Sequence, residues 1–139
     1  MENQNEQLSH QLHESFSKNQ FDKCLDMATD NIQVVAHPFG MTFNGKNEFM
    51  GFMQGFKTAF PDMEIKHTNI ISNGKNVAVE FTAQGTHNGP LQTPAGAIPP
   101  TGKPVTFTVA EFMVWENGKL QSLHNYQDAG SIMRQIGAM

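Results

Sequence analysis

Cysteine is nearly absent from this chain. The single Cys24 excludes an intrachain disulfide and any cysteine-based zinc cluster, which suits a reducing compartment, so a cytoplasmic location is expected. Basic residues are also few. Nine Lys plus Arg against thirteen Asp plus Glu leave a net charge of -4, the wrong sign for steering toward a phosphate backbone, and no nucleic-acid partner is expected. No apolar run approaches the roughly 20 residues that span a bilayer, and the polar start MENQNEQLSHQLHESF lacks the basic and apolar regions of a signal peptide. No membrane partner is expected. Charged residues reach only 16 %, below the usual quarter or so. What is plentiful is Phe (11) and Met (9), which suit an adaptable core or an apolar pocket. At 139 residues the chain has the length of one domain, residues 1–139, able to bury a core without staples.

Hydrophobic spacing places the elements. Leu8, Leu12 and Phe16 form an i, i+4, i+8 row that predicts an amphipathic helix from Glu2 to Asn19. A short helix is predicted from Phe21 to Thr29, and a strand from Ile32 to Ala36, stopped by His37-Pro38-Phe39-Gly40. Phe49, Phe52, Met53, Phe56 and Phe60 give a third helix, broken at Pro61-Asp62. Strands follow: Glu64 to Ser72 and Asn76 to Thr86 about Asn73-Gly74, a Gly/Pro-rich loop from Asn88 to Lys103, then Pro104 to Trp115 and Lys119 to Gln127 about Asn117-Gly118. Ala129 to Ile136 closes the chain as a helix that Asp128 can cap. Helices first and an antiparallel meander after them predict an α+β fold, a strongly curved antiparallel sheet with helices on one face, shaped as a cone whose open end is a small-molecule pocket.

Side chains alternate along a strand, so Leu120, Ser122, His124, Tyr126 and Asp128 are expected on one face of the last strand. If that face lines the cone, Asp128 sits in apolar surroundings that raise its pKa and suit it to proton transfer, with His124 beside it. Otherwise Asp128 caps the last helix and His124 is a wall residue. In the preceding strand Val105, Phe107, Val109, Glu111, Met113 and Trp115 share a face, and Glu111 is the one carboxylate in that apolar row. Either the row lines the interior, where Glu111 needs a partner, or it faces a subunit interface. Phe112 and Val114 make the opposite face of this strand apolar as well, which predicts a homodimer through the outer face of the sheet.

The other histidines carry weaker signals. His10 and His13 are expected on a solvated helix face, without a third metal ligand nearby. His37 and His67 read as lone strand residues, and Cys24 as inert packing. The chain has no phosphate-cradling glycine loop, nucleophile elbow or metal-ligand spacing, which leaves acid/base chemistry with no metal and no cofactor.

The ordered series Ala59-Phe60-Pro61-Asp62, Gly85-Thr86-His87-Asn88-Gly89, Pro99-Pro100-Thr101-Gly102-Lys103, Asn117-Gly118-Lys119-Leu120, and Asp128 followed by Arg134-Gln135-Ile136-Gly137 resembles the SnoaL-like polyketide cyclases, also called ester cyclases, of the NTF2-like superfamily. The resemblance runs from about Ile32 to Gly137. It implies a cone-shaped α+β fold paired as a homodimer, and a cofactor-free intramolecular aldol condensation on a small hydrophobic carbonyl or ester substrate. It implies Asp128 as general acid/base, at the end of the last strand. Four residues earlier, where the family commonly has Trp, stands His124, and Gln92 to Ala97 lengthen the loop after Gly89. The candidate catalytic residues are therefore Asp128 and His124, and the candidate pocket residues His37, His87, Glu111 and Tyr126. Two alternatives stand beside this: a non-catalytic small-molecule binder using the same cone, and a related isomerase or hydratase.

Overall fold

The structure, a computed structural model, describes residues 3–139. Helix α1 (Gln4–Ser17) begins at Asn3, whose side-chain oxygen accepts from the Glu6 N–H at 2.8 Å, satisfying one of the free amides of the first turn. Its buried residues are Ser9, Leu12, His13 and Phe16. The predicted Leu8–Leu12–Phe16 row is thus one edge of a wider stripe, and His13 lies inside it, not on a solvated face. Helix α2 (Phe21–Asp26) is shorter than predicted, because strand β1 (Ala28–Ala36) already begins at Ala28.

A three-residue helical turn at His37–Phe39 ends in Gly40 at φ 62°, a left-handed conformation that costs glycine little. It reverses the chain into β2 (Met41–Asn44), a short edge strand with no sequence signal of its own. Helix α3 (Gly45–Ala59) follows with Phe49 and Met53 in the core, as their spacing predicts. Strands β3 (Glu64–Asn73) and β4 (Asn76–Thr86) form the first hairpin. The predicted loop after β4 contains a small ribbon of β5 (Leu91–Thr93) and β6 (Gly96–Ile98). Strands β7 (Pro104–Glu116) and β8 (Lys119–Gln127) turn through Asn117 and Gly118, at φ 51° and 78°, and α4 (Ala129–Gln135) ends the chain.

The main sheet has the order β2-β1-β8-β7-β4-β3. It is curved and mostly antiparallel; the exception is β1, which runs parallel to β8. One face is covered by the helices and holds the core, with Trp115, Phe49, Phe60 and Ile32 among its fully buried side chains. Trp115 also ties the sheet to α1, its Nε1 donating to Ser9 Oγ at 3.0 Å. Among the described residues no helix is long and apolar enough to cross a membrane.

The register of β8 carries the main correction. Val114 pairs with Ser122 but Trp115 pairs with Leu120, so Gln121 is an extra residue in the ladder. Such a bulge reverses the side on which the following residues point. Leu120 faces the core, and beyond the bulge Leu123 and Asn125 are buried while His124 and Tyr126 face outward.

Candidate functional site

Between α1, α3 and the inner face of the sheet lies an apolar cavity, lined on the helix side by Leu12, Phe16, Phe49, Phe52, Met53 and Phe56. Its free space is ≈ 500 Å³ including the mouth, of which ≈ 50 Å³ is open to the centre of a water-sized sphere, so it is narrow. A ligand about the size of one substituted aromatic ring fits such a space.

All the polar side chains of the lining come from α1, β7 and β8: His13, Glu111, Asn125 and Gln127. Glu111 is 4 % and His13 6 % exposed, and both are held by hydrogen bonds. His13 Nε2 is 2.7 Å from Glu111 Oε1, Asn125 Nδ2 donates to Glu111 Oε2 at 2.8 Å, and His13 Nδ1 is 2.7 Å from Nε2 of His67 on β3. A carboxylate only accepts, so His13 carries a hydrogen on Nε2; in the neutral ring its Nδ1 then accepts, and His67 Nε2 is the donor. The chain of bonds therefore runs in one direction, from His67 at the edge of the sheet to the carboxylate in the cavity. On its outer side His67 packs against His10, with ring centroids 4.3 Å apart and the rings tilted by 34°.

Burial beside His13 and His10 pushes the His67 pKa down to about 3, with loss of solvation the largest cause. The unfolded chain takes up this proton near pH 6.5 and the folded chain does not until about pH 3, so the associated stability is complete at neutral pH and is lost as the pH falls through that window. With allowance for the partial exposure of the ring, the loss is about 2 kcal/mol across the window. His67→Gln keeps an N–H for His13 and removes the titration. Urea unfolding of both proteins at pH 7 and pH 4.5 is expected to show a shallower acid loss in the variant.

The site residues expected from the sequence divide. Glu111 lines the cavity, in the interior row that was one of its two readings. Asp128 does not: it is exposed, and its Oδ1 accepts from the Ser131 N–H at 2.9 Å as the N-cap of α4. The apolar surroundings expected for it are absent because the bulge turns the His124–Tyr126 face outward and Asp128 follows the end of the strand. His124 and Tyr126 stand on the outer face with exposed His37, whose ring stacks on Tyr126 at 4.2 Å and whose Nε2 lies 2.8 Å from His124 Nδ1.

His87 is fully buried, yet it is not in the cavity wall. Its backbone C=O accepts from Thr101 and Gly102, its N–H donates to the Lys103 C=O, and its Nδ1 lies 3.0 Å from Thr101 Oγ1. Burial lowers its pKa, so it fastens the loop as a neutral ring. Cys24 is fully buried, and loss of solvation pushes its thiol up to about 12, as inert packing requires.

The sequence does not single out His13, Asn125 or Gln127 as site residues, and in it His67 reads only as a lone strand residue. A signal for His13 existed in the width of the α1 stripe. For Asn125 and Gln127 it lay in Leu120 and Leu123, two leucines three apart that cannot share a face of a regular strand.

Helices closing over a curved sheet around an apolar cavity define an NTF2-like cone with a ligand-sized interior. Within that class the chain belongs to the SnoaL-like polyketide cyclase family, whose sequence model matches residues 6–136. Among solved structures it is similar to a candidate SnoaL-like polyketide cyclase from Jannaschia sp. CCS1, with TM-score 0.85 and 19 % identity over 96 % of this chain and 91 % of that one. It is also similar to IdmH, a candidate polyketide cyclase from Streptomyces antibioticus (TM-score 0.81, 20 % identity, 97 % and 99 % covered). A third is an NTF2-like protein of unknown function from Burkholderia pseudomallei (TM-score 0.78, 18 % identity, 97 % and 98 % covered). At these identities the likeness is one of fold. No curated protein matches the sequence.

Proposed function

We propose that this protein is a cofactor-free acid/base enzyme acting on a small hydrophobic carbonyl or ester, with Glu111 in place of Asp128 as the group that takes and returns the proton. The observation that carries the reading is that Glu111 and its partner His13 are the titratable groups lining a mostly apolar cavity, while Asp128 is exposed and occupied as a cap. Each Glu111 oxygen accepts one bond from the protein and keeps a further lone pair for a substrate proton. In the aldol-type cyclisation of this family, the carboxylate removes a proton beside one carbonyl and becomes the neutral acid. The enolate carbon bonds to a second carbonyl carbon of the same molecule, whose oxygen becomes an alkoxide, and the acid returns its proton there. Phe16, Phe49, Phe52 and Phe56 hold the chain folded for that attack, the larger part of what a narrow apolar cavity offers such a reaction.

The test is deuterium uptake beside the carbonyl of small aryl ketones in D2O, followed by NMR. Glu111→Gln is expected to slow catalysed exchange about 10²-fold, the usual contribution of a positioned base, and Asp128→Asn to leave it unchanged. If Asp128→Asn abolishes exchange and Glu111→Gln retains it, the reading is wrong. Exchange by the native protein no faster than by Glu111→Gln across the ketones would favour a non-catalytic binder. We further propose that two copies pair through the outer face of the sheet, where Ile71, Phe112 and Tyr126 are 63 %, 54 % and 43 % exposed.

A further inference from the structure

Two buried polar atoms of the cavity wall have no hydrogen-bond partner in the chain: Asn125 Oδ1 and Gln127 Nε2. The other such atoms among the described residues, on Thr29, His67 and His87, belong to side chains outside this lining. Buried polar groups are nearly always bonded, to protein, ordered water or ligand, so two of them on one cavity wall mark a place where a ligand's polar groups can bind. Their chemistry also specifies what the ligand must offer. The Asn125 amide has a fixed orientation, because its Nδ2 donates to the Glu111 carboxylate at 2.8 Å and only a nitrogen can face an oxygen that solely accepts. Oδ1 is therefore an acceptor that needs a donor, and Asn125 is only 3 % exposed. Gln127 Nε2 is a donor that needs an acceptor. The two residues lie two apart on the same face of β8, about 7 Å from one another along the strand, so they address two groups of one small molecule. An ammonium donor fits poorly, since Glu111 already has His13 and Asn125 as partners and the surrounding walls are phenylalanine and aliphatic. A neutral hydroxyl fits.

We propose that Asn125 and Gln127 form a specificity subsite for a hydroxyl-bearing aromatic ketone, the hydroxyl donating to Asn125 Oδ1 and the carbonyl accepting from Gln127 Nε2. This deepens the reading of Glu111 as the proton-transferring group and uses the same cavity. It places the hydroxyl beside Glu111, which pairs with Asn125 across the sheet, and the carbonyl one pair further along the same wall, where Gln127 is opposite Val109. It also sets the ring of the ligand against the phenylalanines of α1 and α3.

The experiment measures binding and not turnover, by titration calorimetry or ligand-observed NMR, with three probes of similar size. These are meta-hydroxyacetophenone, meta-methoxyacetophenone, which lacks the donor, and meta-ethylphenol, which lacks the carbonyl. The native protein is expected to bind the first about tenfold more tightly than either of the others, one hydrogen bond being lost in each case. Gln127→Met keeps the length of the side chain and removes its donor. It is expected to bring the ketone and the ethylphenol within about twofold of each other while the preference for hydroxyl over methoxy stays near tenfold. Equal affinity for the hydroxy and methoxy ketones overturns the proposal, as does an undiminished ketone preference in Gln127→Met, or no binding of any probe at millimolar concentration. Because these preferences are read without exchange, their failure leaves the assignment of Glu111 standing, and a failure of the exchange assay leaves the subsite standing.

Discussion

His13→Leu is expected to destabilise the protein by about 3–5 kcal/mol, the usual cost of removing one member of a buried ion pair or its hydrogen-bonded equivalent. The helix does not need the imidazole; leucine is a better helix former and packs well among Leu12, Phe16 and Phe81. The cost comes from what is left behind. Glu111 Oε1 loses its partner at 2.7 Å inside an apolar wall, and His67 Nε2 loses the acceptor it was aimed at. Only Asn125 then remains on the carboxylate.

A second variant separates this from lost packing. In His13→Leu/Glu111→Gln the buried charge is gone, and the glutamine oxygen can still accept from Asn125 Nδ2. The double variant is expected to recover at least half of the loss, since an uncompensated buried charge is worth more than a buried amide. Chemical unfolding of the four proteins of this cycle gives both numbers. A His13→Leu cost below about 1 kcal/mol would mean that water reaches Glu111 freely and that the carboxylate is not held by His13.

The sequence showed the fold because its main elements have strong local signals. The α3 phenylalanines repeat at helical spacing, and Asn117-Gly118 supplies two residues that tolerate positive φ in a two-residue hairpin. The β7 row from Val105 to Trp115 has strict alternation, and every member of it is buried. Features set by long-range pairing were not legible. The parallel pairing of β1 with β8 joins residues about ninety apart, and β2 is a four-residue edge strand that pairs in the sheet with β1 alone.

The site was half legible for a related reason. Glu111 could be found because β7 is regular, so counting by two from any core residue reaches it. Counting by two on β8 fails at Gln121, and one inserted residue moved His124 and Tyr126 outward while bringing Asn125 and Gln127 inward. The pair His13 and Glu111 is 98 residues apart in sequence, and nothing in either neighbourhood announces the other.

The motif residues that revealed the family divide the same way. Three of the motifs meet in one knot away from the polar wall. Asp62 accepts from the Thr86 N–H at 2.7 Å and from its hydroxyl at 2.9 Å, bonds that hold its carboxyl below the usual range. His87 fastens Thr101, Gly102 and Lys103. These residues close the loop over the end of α3, apart from the polar side chains that line the cavity. A recognisable sequence thus located the fold more surely than the site.

Gly89→Ala is the substitution with which that knot can be tested, and it is expected to cost more than about 3 kcal/mol or to detach the loop. The backbone of Gly89 is not in the left-handed region, so conformational freedom is not the reason for glycine here. Space is the reason. A Cβ built at Gly89 would stand 1.8 Å from the Thr58 carbonyl oxygen and 2.9 Å from its carbon, and both atoms belong to the backbone of α3. Neither can move aside as a flexible side chain would. The strap must lift instead, breaking the bonds that the Asn88 and Gly89 N–H groups donate to the Ala59 C=O and withdrawing buried Leu91 from the core. Glycines 51 and 55 provide the control within the same helix. Nothing lies within 4 Å of a Cβ at either position, so Gly51→Ala and Gly55→Ala are each expected to stabilise the protein by about 0.5–1 kcal/mol through helix propensity. Thermal unfolding of the three single variants should therefore move in opposite directions. If Gly89→Ala melts with the native protein, the close approach of the strap to α3 is not what holds this loop.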